Sequence, residues 1–375
     1  MQPSAPLRLG NGALSVIRMA GPLSGLTIIE LAGLGPGPFA AMMLADHGAQ
    51  VIRVERAGMI GVPNDPLLRN RRSIALDLKR EEHRAAARRL VVGADGLIEG
   101  YRPGVMERLG LGPDELRAEH RSLVYGRITG WGQSGPLAAE AGHDINYLAL
   151  TGLLDCIGEP DRPPRPPLNL VADYAGGGMM LAFGMVAALL DVQRGAEGRV
   201  VDAAMSVGAA LTGARIYGLK AAGAWDGGRG GNLLDGGEPL YGCYKCADGK
   251  YLALGAIEPQ FRSALVEGLG LTDITRKSVA AVIGRKRRDQ WVAHFAGIDA
   301  CVAPVLSLEE APAHPHNRAR GTFIEVGGVR QPGPAPRYSA TTADQPRPPR
   351  REGEDSAAIL AEFGYDANEI EELLK

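Results

Sequence analysis

Three acids and one histidine have the surroundings needed to move a proton to or from carbon. His143 and Asp144 stand together in AGHDINYLALTGLL, residues 141–154, ahead of an apolar helical stretch. If Asp144 caps that helix, the first free backbone N–H groups point outward beside the imidazole, which places a base and anion-stabilising donors within one turn. That pairing suits enolate chemistry, where a base must reach the carbon and donors must face the oxygen on which charge grows. A capped surface helix whose histidine merely packs fits the same letters. Asp173 follows the apolar run LNLVA, read as a strand, and precedes Gly176-Gly177-Gly178. Glycines there let a ligand or another backbone approach closely. An ordinary aspartate, titrating at about 3.9, is a feeble carbon base; burial would raise it, and nearby helix amides would act the other way. Its simpler role is the N-cap of the next helix. Glu258, in ALGAIEPQF, stands between a strand end and Pro259. Bonded to His143 it would orient the ring and strengthen it as a base; alone, it reads equally as a cap.

The elements that must position these groups follow a β-α-β rhythm. LTIIEL (26–31) is a buried-strand run, GLGPGP (33–38) a glycine-rich turn, FAAMMLADHGA a helix, and QVIRVER (50–56) a second strand. Gly33, Gly35 and Glu55 match part of a dinucleotide fingerprint, but Pro38 replaces its third glycine and Arg56 follows the acid. A structural crossover or another nucleotide-bearing ligand competes with that reading. RSIALDLK (72–79), a helix over 80–92, ADGLIEGY (94–101) and LVYGRITG (123–130) extend the pattern, which predicts parallel α/β architecture. A helix from Gly178 to Gln193 is expected to close at Gly195 before the strand RVVDAAM. Residues 220–240 are glycine-rich and suit a linker, a smaller unit runs to about 325, and the proline-rich 331–351 is expected to lie extended over a surface. Asp366-Ala-Asn-Glu369 predicts a capping box ahead of the last helix. Residues 1–18 hold arginines but no acids and no secretory apolar core, so they read as a disordered extension, with Met19 an alternative start.

Composition excludes several function classes. The 375 residues exceed one ordinary core. A net charge of −2 with scattered basic residues gives no polyanion-binding surface, so no nucleic-acid partner is expected. The apolar run MMLAFGMVAALL falls short of the roughly 20 residues of a membrane helix, and a soluble protein with no membrane partner is expected. Four cysteines are too few for a disulfide framework, which points to the reducing cytoplasm. Cys243 and Cys246 match C-x-x-C, but a strand would send them to opposite faces, so ordinary buried thiols are expected and no metal site.

Longer stretches carry a resemblance: GPLSGLTIIELAGLGPGPFAAMMLADHGAQVIRVER, RNRRSIALDLK, IEGYRPGVMERLGLGP, TGWGQSGP, GHDINYLALTG, PPLNLVADYAGGG, GRVVDAAM, GAIEPQF and HPHNRARGTF, in this order over roughly 19 to 345. The chain resembles the family III CoA-transferase superfamily, specifically its α-methylacyl-CoA racemase branch. The resemblance implies a racemase or epimerase of 2-methylacyl-CoA thioesters in lipid metabolism, with His143 and Asp173 as two bases on opposite faces of the α-carbon. Glu258 would partner the histidine, and the Asp144 backbone N–H would bind the thioester oxygen. Cofactor contacts would fall on Arg56; on Leu76, Asp77, Leu78 and Lys79; on Glu99, Gly100, Tyr101 and Arg102; on Arg108; and on Gly142, Ile145, Asn146 and Tyr147. CoA itself is the carrier portion of the substrate, and no other cofactor is implied. The implied architecture is an interlocked homodimer. Each Rossmann-like large domain is built from both chain ends (19–220 and 326–375), with a linker and smaller α+β domain (221–325) whose partner copy completes the site. Met179, Met180, Met185 and Met205 could form the surface on which an acyl chain slides. The superfamily also carries transferases in which the aspartate matching Asp173 is a covalent nucleophile, and a CoA-binding protein without catalysis is a third reading.

Overall fold

The computed structural model describes residues 20–56, 58, 62, 64–340 and 344–375. The extension expected over 1–18, and Met19, lie outside the described residues. The first strands are β1 (Thr27–Leu31) and, beyond helix α1 (Pro36–Asp46), β2 (Gln50–Glu55) and β3 (Arg71–Ala75). Helix α2 (Glu81–Val92) leads to β4 (Gly96–Glu99), then the short α3 (Val105–Arg108) and α4 (Pro113–Glu119) lead to β5 (Val124–Thr129). With β6 (Val200–Ala204) they form one parallel sheet in the order 3-2-1-4-5-6. Neighbouring residues along the strands feed opposite cores. Ile28, Val51, Ile98 and Val124 face one cluster with Leu44 and Met185; Ile29, Ile52, Leu97 and Tyr125 face another with Leu90 and Met106. Two covered faces are what a parallel sheet requires, and they explain why its strands read as unbroken apolar runs.

Between β5 and β6 the chain departs from expectation. Helix α5 (Asp144–Ala149) forms as predicted, but LNLVA is not a strand: Leu170–Met179 is a wide π-type helix that runs directly into α6 (Met180–Gln193). Together they make a 24-residue span, Leu170–Gln193, long and apolar enough by length and composition to cross a bilayer, which counting the apolar run alone did not reveal. In the fold the span packs between α1, β5, β6 and α7 (Met205–Thr212). The glycine run explains the closeness of α7. A Cβ built on Gly208 would fall 1.8 Å from the Gly176 carbonyl oxygen, and one on Gly176 would fall 2.4 Å from the Ala209 nitrogen. The helix stops as expected, with Gly195 at φ 96° just beyond its C-cap.

After α8 (Ala214–Ala221) the glycine-rich crossing is irregular, and Asn232 and Asp235 tie it together through bonds to the amides and carbonyls around them. A second sheet, antiparallel, joins β7 (Tyr241–Lys245), β8 (Tyr251–Gly255) and β9 (Val302–Val305). Helices α9 (Pro259–Leu269), α10 (Arg276–Ile283) and α11 (Arg288–His294) cover it around Leu252, Leu254, Leu265 and Trp291. Cys246 is buried there, but Cys243 and Cys301 are exposed and Cys156 is half-buried, so the expectation of buried thiols holds for Cys246 alone. Helix α12 (Pro315–Arg320) and the hairpin β10 (Phe323–Val326) and β11 (Val329–Pro332) precede the proline-rich stretch. That stretch returns the chain to β3, where Arg347 and Asn70 exchange bonds. Finally α13 (Ser356–Glu362) and α14 (Ala367–Leu373) place Ile359, Leu360 and Leu373 in the core of the large sheet. The capping box at Asp366 and Glu369 forms as predicted.

The contact between α7 and the wide helix leaves no room for a side chain. Gly208→Ala is expected to destabilise the fold by about 1–3 kcal/mol or more, the range for overpacking, read as a lower thermal midpoint. A midpoint equal to that of the unsubstituted protein would mean that the two backbones are not apposed in this way.

Candidate active site

The mouth of α5 is built differently from the sequence expectation, and the difference links the two candidate bases. His143, not Asp144, is the N-cap residue, with φ −133° and ψ 175°, and its N–H donates to Asn146 Oδ1 at 3.1 Å. Asp144 is the first helical residue. Its buried carboxylate turns away from its own helix and accepts from the N–H groups of Ala172 and Asp173, at 2.8 and 2.7 Å. The opening amides of a helix, here Asp144 and Ile145, have no carbonyl of that helix to bond. They therefore remain donors next to the exposed His143 imidazole.

Asp173 lies in the first turn of the wide helix and is half-buried; it is not an N-cap. Asn169 Nδ2 donates to its Oδ2 at 3.2 Å. A Cβ built on Gly35, in the loop after β1, would lie 3.7 Å from the same oxygen. Burial pushes the Asp173 carboxyl above the ordinary range, and the Asp144 charge adds to it, while Asn169 and His143 act in the opposite direction. Tyr147 closes the floor. Its hydroxyl donates to the Gly142 carbonyl, and its ring meets Trp131 edge-on at 4.8 Å. A Cβ on Gly130 or Gly142 would strike that ring, at 2.1 and 2.7 Å, so both glycines are required by shape. Burial raises the Tyr147 phenol, Asp173 raises it further and Arg102 opposes, which puts all three groups in one neighbourhood.

The cofactor residues suggested by resemblance fall at the carboxyl ends of the parallel strands, where open α/β sheets bind ligands. Arg56 follows β2, Leu76 to Lys79 follow β3, Gly100 to Arg102 follow β4, and the Gly142 to Tyr147 segment lies beyond β5. Arg56, Lys79, Arg102 and Arg108 are exposed and have no carboxylate partner among the described residues. Two of the suggested side chains are placed otherwise. Leu76 is buried in the core. Glu99, fully buried, accepts from Arg127 at 2.7 Å and from the Tyr101 N–H at 2.7 Å, so it is a structural ion pair. Glu55, the acid of the dinucleotide reading, is engaged by Arg53 and Ser73. Met185 and Met205 are buried core residues, leaving Met179 and partly Met180 at the surface.

Among the described residues no hydrogen bond or ion pair joins Glu258 to His143. Glu258 is the exposed N-cap residue of α9. Asn169 and Trp131 escaped the sequence reading, which took Gly35 only as part of the dinucleotide fingerprint and the Asp144 side chain only as a helix cap. Only the spacing of Asn169 four residues before Asp173 could have pointed to a helical neighbour, and the strand assignment hid it.

The chain belongs to CoA-transferase family III, whose model matches residues 23–356. Within it, the chain is similar to the α-methylacyl-CoA racemases of Mus musculus and Homo sapiens, each 45% identical and each covering 94% of this chain and 96% of the relative. The succinyl-CoA:glutarate CoA-transferase of Mus musculus is 30% identical over 94% of this chain and 89% of its own length. A CAIB/BAIF family protein from Brucella suis superposes with a TM-score of 0.80 at 27% identity, over 92% of this chain and 100% of that one.

The raised Asp173 carboxyl makes a prediction that needs no substrate. An acid held above its unfolded value binds its proton more tightly when folded, so stability falls as pH rises from about 4 through the raised value. Asp173→Asn is therefore expected to melt higher than the unsubstituted protein at pH 7, with the gap narrowing toward pH 4. Melting curves that keep the same gap at both pH values would remove the buried-acid description.

Proposed function

We propose that this protein is a racemase of 2-methylacyl-CoA thioesters, acting by two-base proton transfer through an enolate, within lipid metabolism in the cytoplasm. The observation that carries the reading is the Asp144 bridge, which sets the Asp173 carboxyl and the His143 imidazole around one helix mouth. The substrate thioester oxygen points at the free amides of Asp144 and Ile145, where enolate charge is stabilised. His143 serves one face of the α-carbon and Asp173 the other. The Asp173 carboxyl, lifted by burial, is better matched to carbon acids than an ordinary aspartate. Arg56, Lys79, Arg102 and Arg108 meet the phosphates of CoA, the carrier portion of the substrate, and the reaction as written uses no metal or redox cofactor.

The working unit is a homodimer. Phe183, Leu190, Val207 and Leu211 leave an apolar surface on α6 and α7, at 74%, 50%, 67% and 61% exposure, that a second copy covers. In that pairing the partner copy's small domain supplies a glutamate equivalent to Glu258, which orients His143. The rival reading is acyl transfer through a covalent Asp173 intermediate, supported by the 30% identity to a CoA-transferase.

Incubation of one enantiomer of a 2-methylacyl-CoA in D₂O is expected to give racemised product with deuterium at C2. Hydroxylamine present during turnover should leave Asp173 unmodified; an aspartyl hydroxamate there, with acyl exchange to a free acid, would establish the transferase instead. His143→Ala is expected to lose interconversion by roughly 10²–10⁴-fold while still exchanging deuterium into one enantiomer with retention. Racemisation by this variant at the full rate would end the two-base scheme.

The cation row gives a separate test. Arg102→Ala and Arg108→Ala should each weaken CoA-thioester binding by about 1.5–3 kcal/mol where a charge-assisted bond is lost, measured by calorimetry. Undiminished affinity in both would take the CoA site elsewhere.

A further inference from the structure

Asp144 contributes an amide to the helix mouth, and its side chain does something separate. Oδ1 receives two consecutive backbone N–H groups, at 2.8 and 2.7 Å, in the short range of charge-assisted bonds. Oδ2 is buried and has no hydrogen-bond partner among the described residues, and no cation pairs with the residue. A buried, half-satisfied carboxylate costs stability, so its presence calls for a role that a neutral clip such as asparagine would not fill.

We propose that the Asp144 side chain is a positioning residue for the Asp173 base: one oxygen clips the backbone of Ala172 and Asp173 to the mouth of α5, and the other holds a second negative charge beside the Asp173 carboxyl. This rests on the racemase reading above. The charged surroundings of Asp173 are few. From α5 come His143 and Asp144, with the Tyr147 hydroxyl and, beyond it, Arg102. From its own helix comes the neutral Asn169. Helix α7 has no charged residue. The other charges on packed elements are engaged elsewhere: Asp46 of α1 with Arg69, Asp191 of α6 with Arg199, Arg127 of β5 with Glu99 and Glu107, and Asp202 of β6 with the Gln133 N–H. Asp144 is thus the negative charge that acts on Asp173, reinforcing burial against the opposing pull of His143 and Asn169. Like charges held close make one acid keep its proton to higher pH and become the stronger base once it is lost.

The test uses full-length protein and a 2-methylacyl-CoA, with kcat and KM followed against pH for the enantiomer that Asp173 deprotonates. Asp144→Asn keeps the acceptor oxygen and the backbone amide but removes the charge. Its acidic limb is expected to move to lower pH and its kcat to fall, with KM unchanged. Asp144→Ala also loses the clip, and kcat should fall by roughly 10²-fold, the scale of a misplaced reacting group. An Asp144→Asn profile and kcat that superimpose on the unsubstituted enzyme overturn the proposal. If Asp144→Asn melts below the assay temperature, Asp144→Glu replaces it: an unshifted limb with reduced kcat is expected, and undiminished kcat overturns the clip. Failure of the unsubstituted enzyme to racemise would strike the functional reading instead, which separates the two.

Discussion

A parallel sheet packed on both faces leaves chiefly its strand ends available for chemistry, and the placement of the candidate site follows from that constraint. Ile28 and Ile29, or Val124 and Tyr125, are adjacent in sequence yet serve different cores. Most side chains along β1 to β5 are taken up by one core or the other, so the loops at the carboxyl edge are the surface left for a ligand. Because all six strands run the same way, those loops gather into one rim. The order reverses between β1 and β4, and the Gly35 loop that approaches Asp173 leaves β1 at that reversal.

The same constraint sorts the charges. Arginines that project from the strands, Arg53, Arg71 and Arg127, are buried and neutralised by Glu30, Glu55, Glu99 and Glu107. Arginines just past the strand ends, Arg56 and Arg102, are exposed and have no carboxylate partner among the described residues. Moving one residue along the chain, from Glu55 to Arg56, thus crosses from a structural charge to an exposed one.

Unbroken apolar runs and helical patterns made most of the large sheet legible, along with the capping box at Asp366 and the C′ glycine at Gly195, because each is set by neighbours in sequence. The candidate rim residues were suggested by long family stretches rather than by any local rule; Arg102 alone reads as solvated charge. What escaped is non-local. The run LNLVA has strand-like letters, but the N–H groups of its last residue, Ala172, and of Asp173 just after it are met by Asp144, 28 and 29 residues earlier, and those bonds favour the wide helix. Glu99 looked like a rim residue until Arg127, a full strand away, claimed it. Glu258 lies in the small unit, and among the described residues no bond joins it to His143.

The outer edge of β3 has a consequence for how the chain is made. Its backbone is met by the far end of the protein: the Ser73 N–H donates to Asp355, the Ser73 carbonyl accepts from the Asp355 N–H, and the Ala75 N–H donates to Ser356 Oγ. Exposed strand edges recruit other strands. A ribosome adding about 5–20 residues per second reaches Asp355 282 residues after Ser73, so the nascent edge waits uncovered for roughly 15–55 s. During that interval the growing chain depends on factors other than its own fold to keep β3 from pairing with a neighbour.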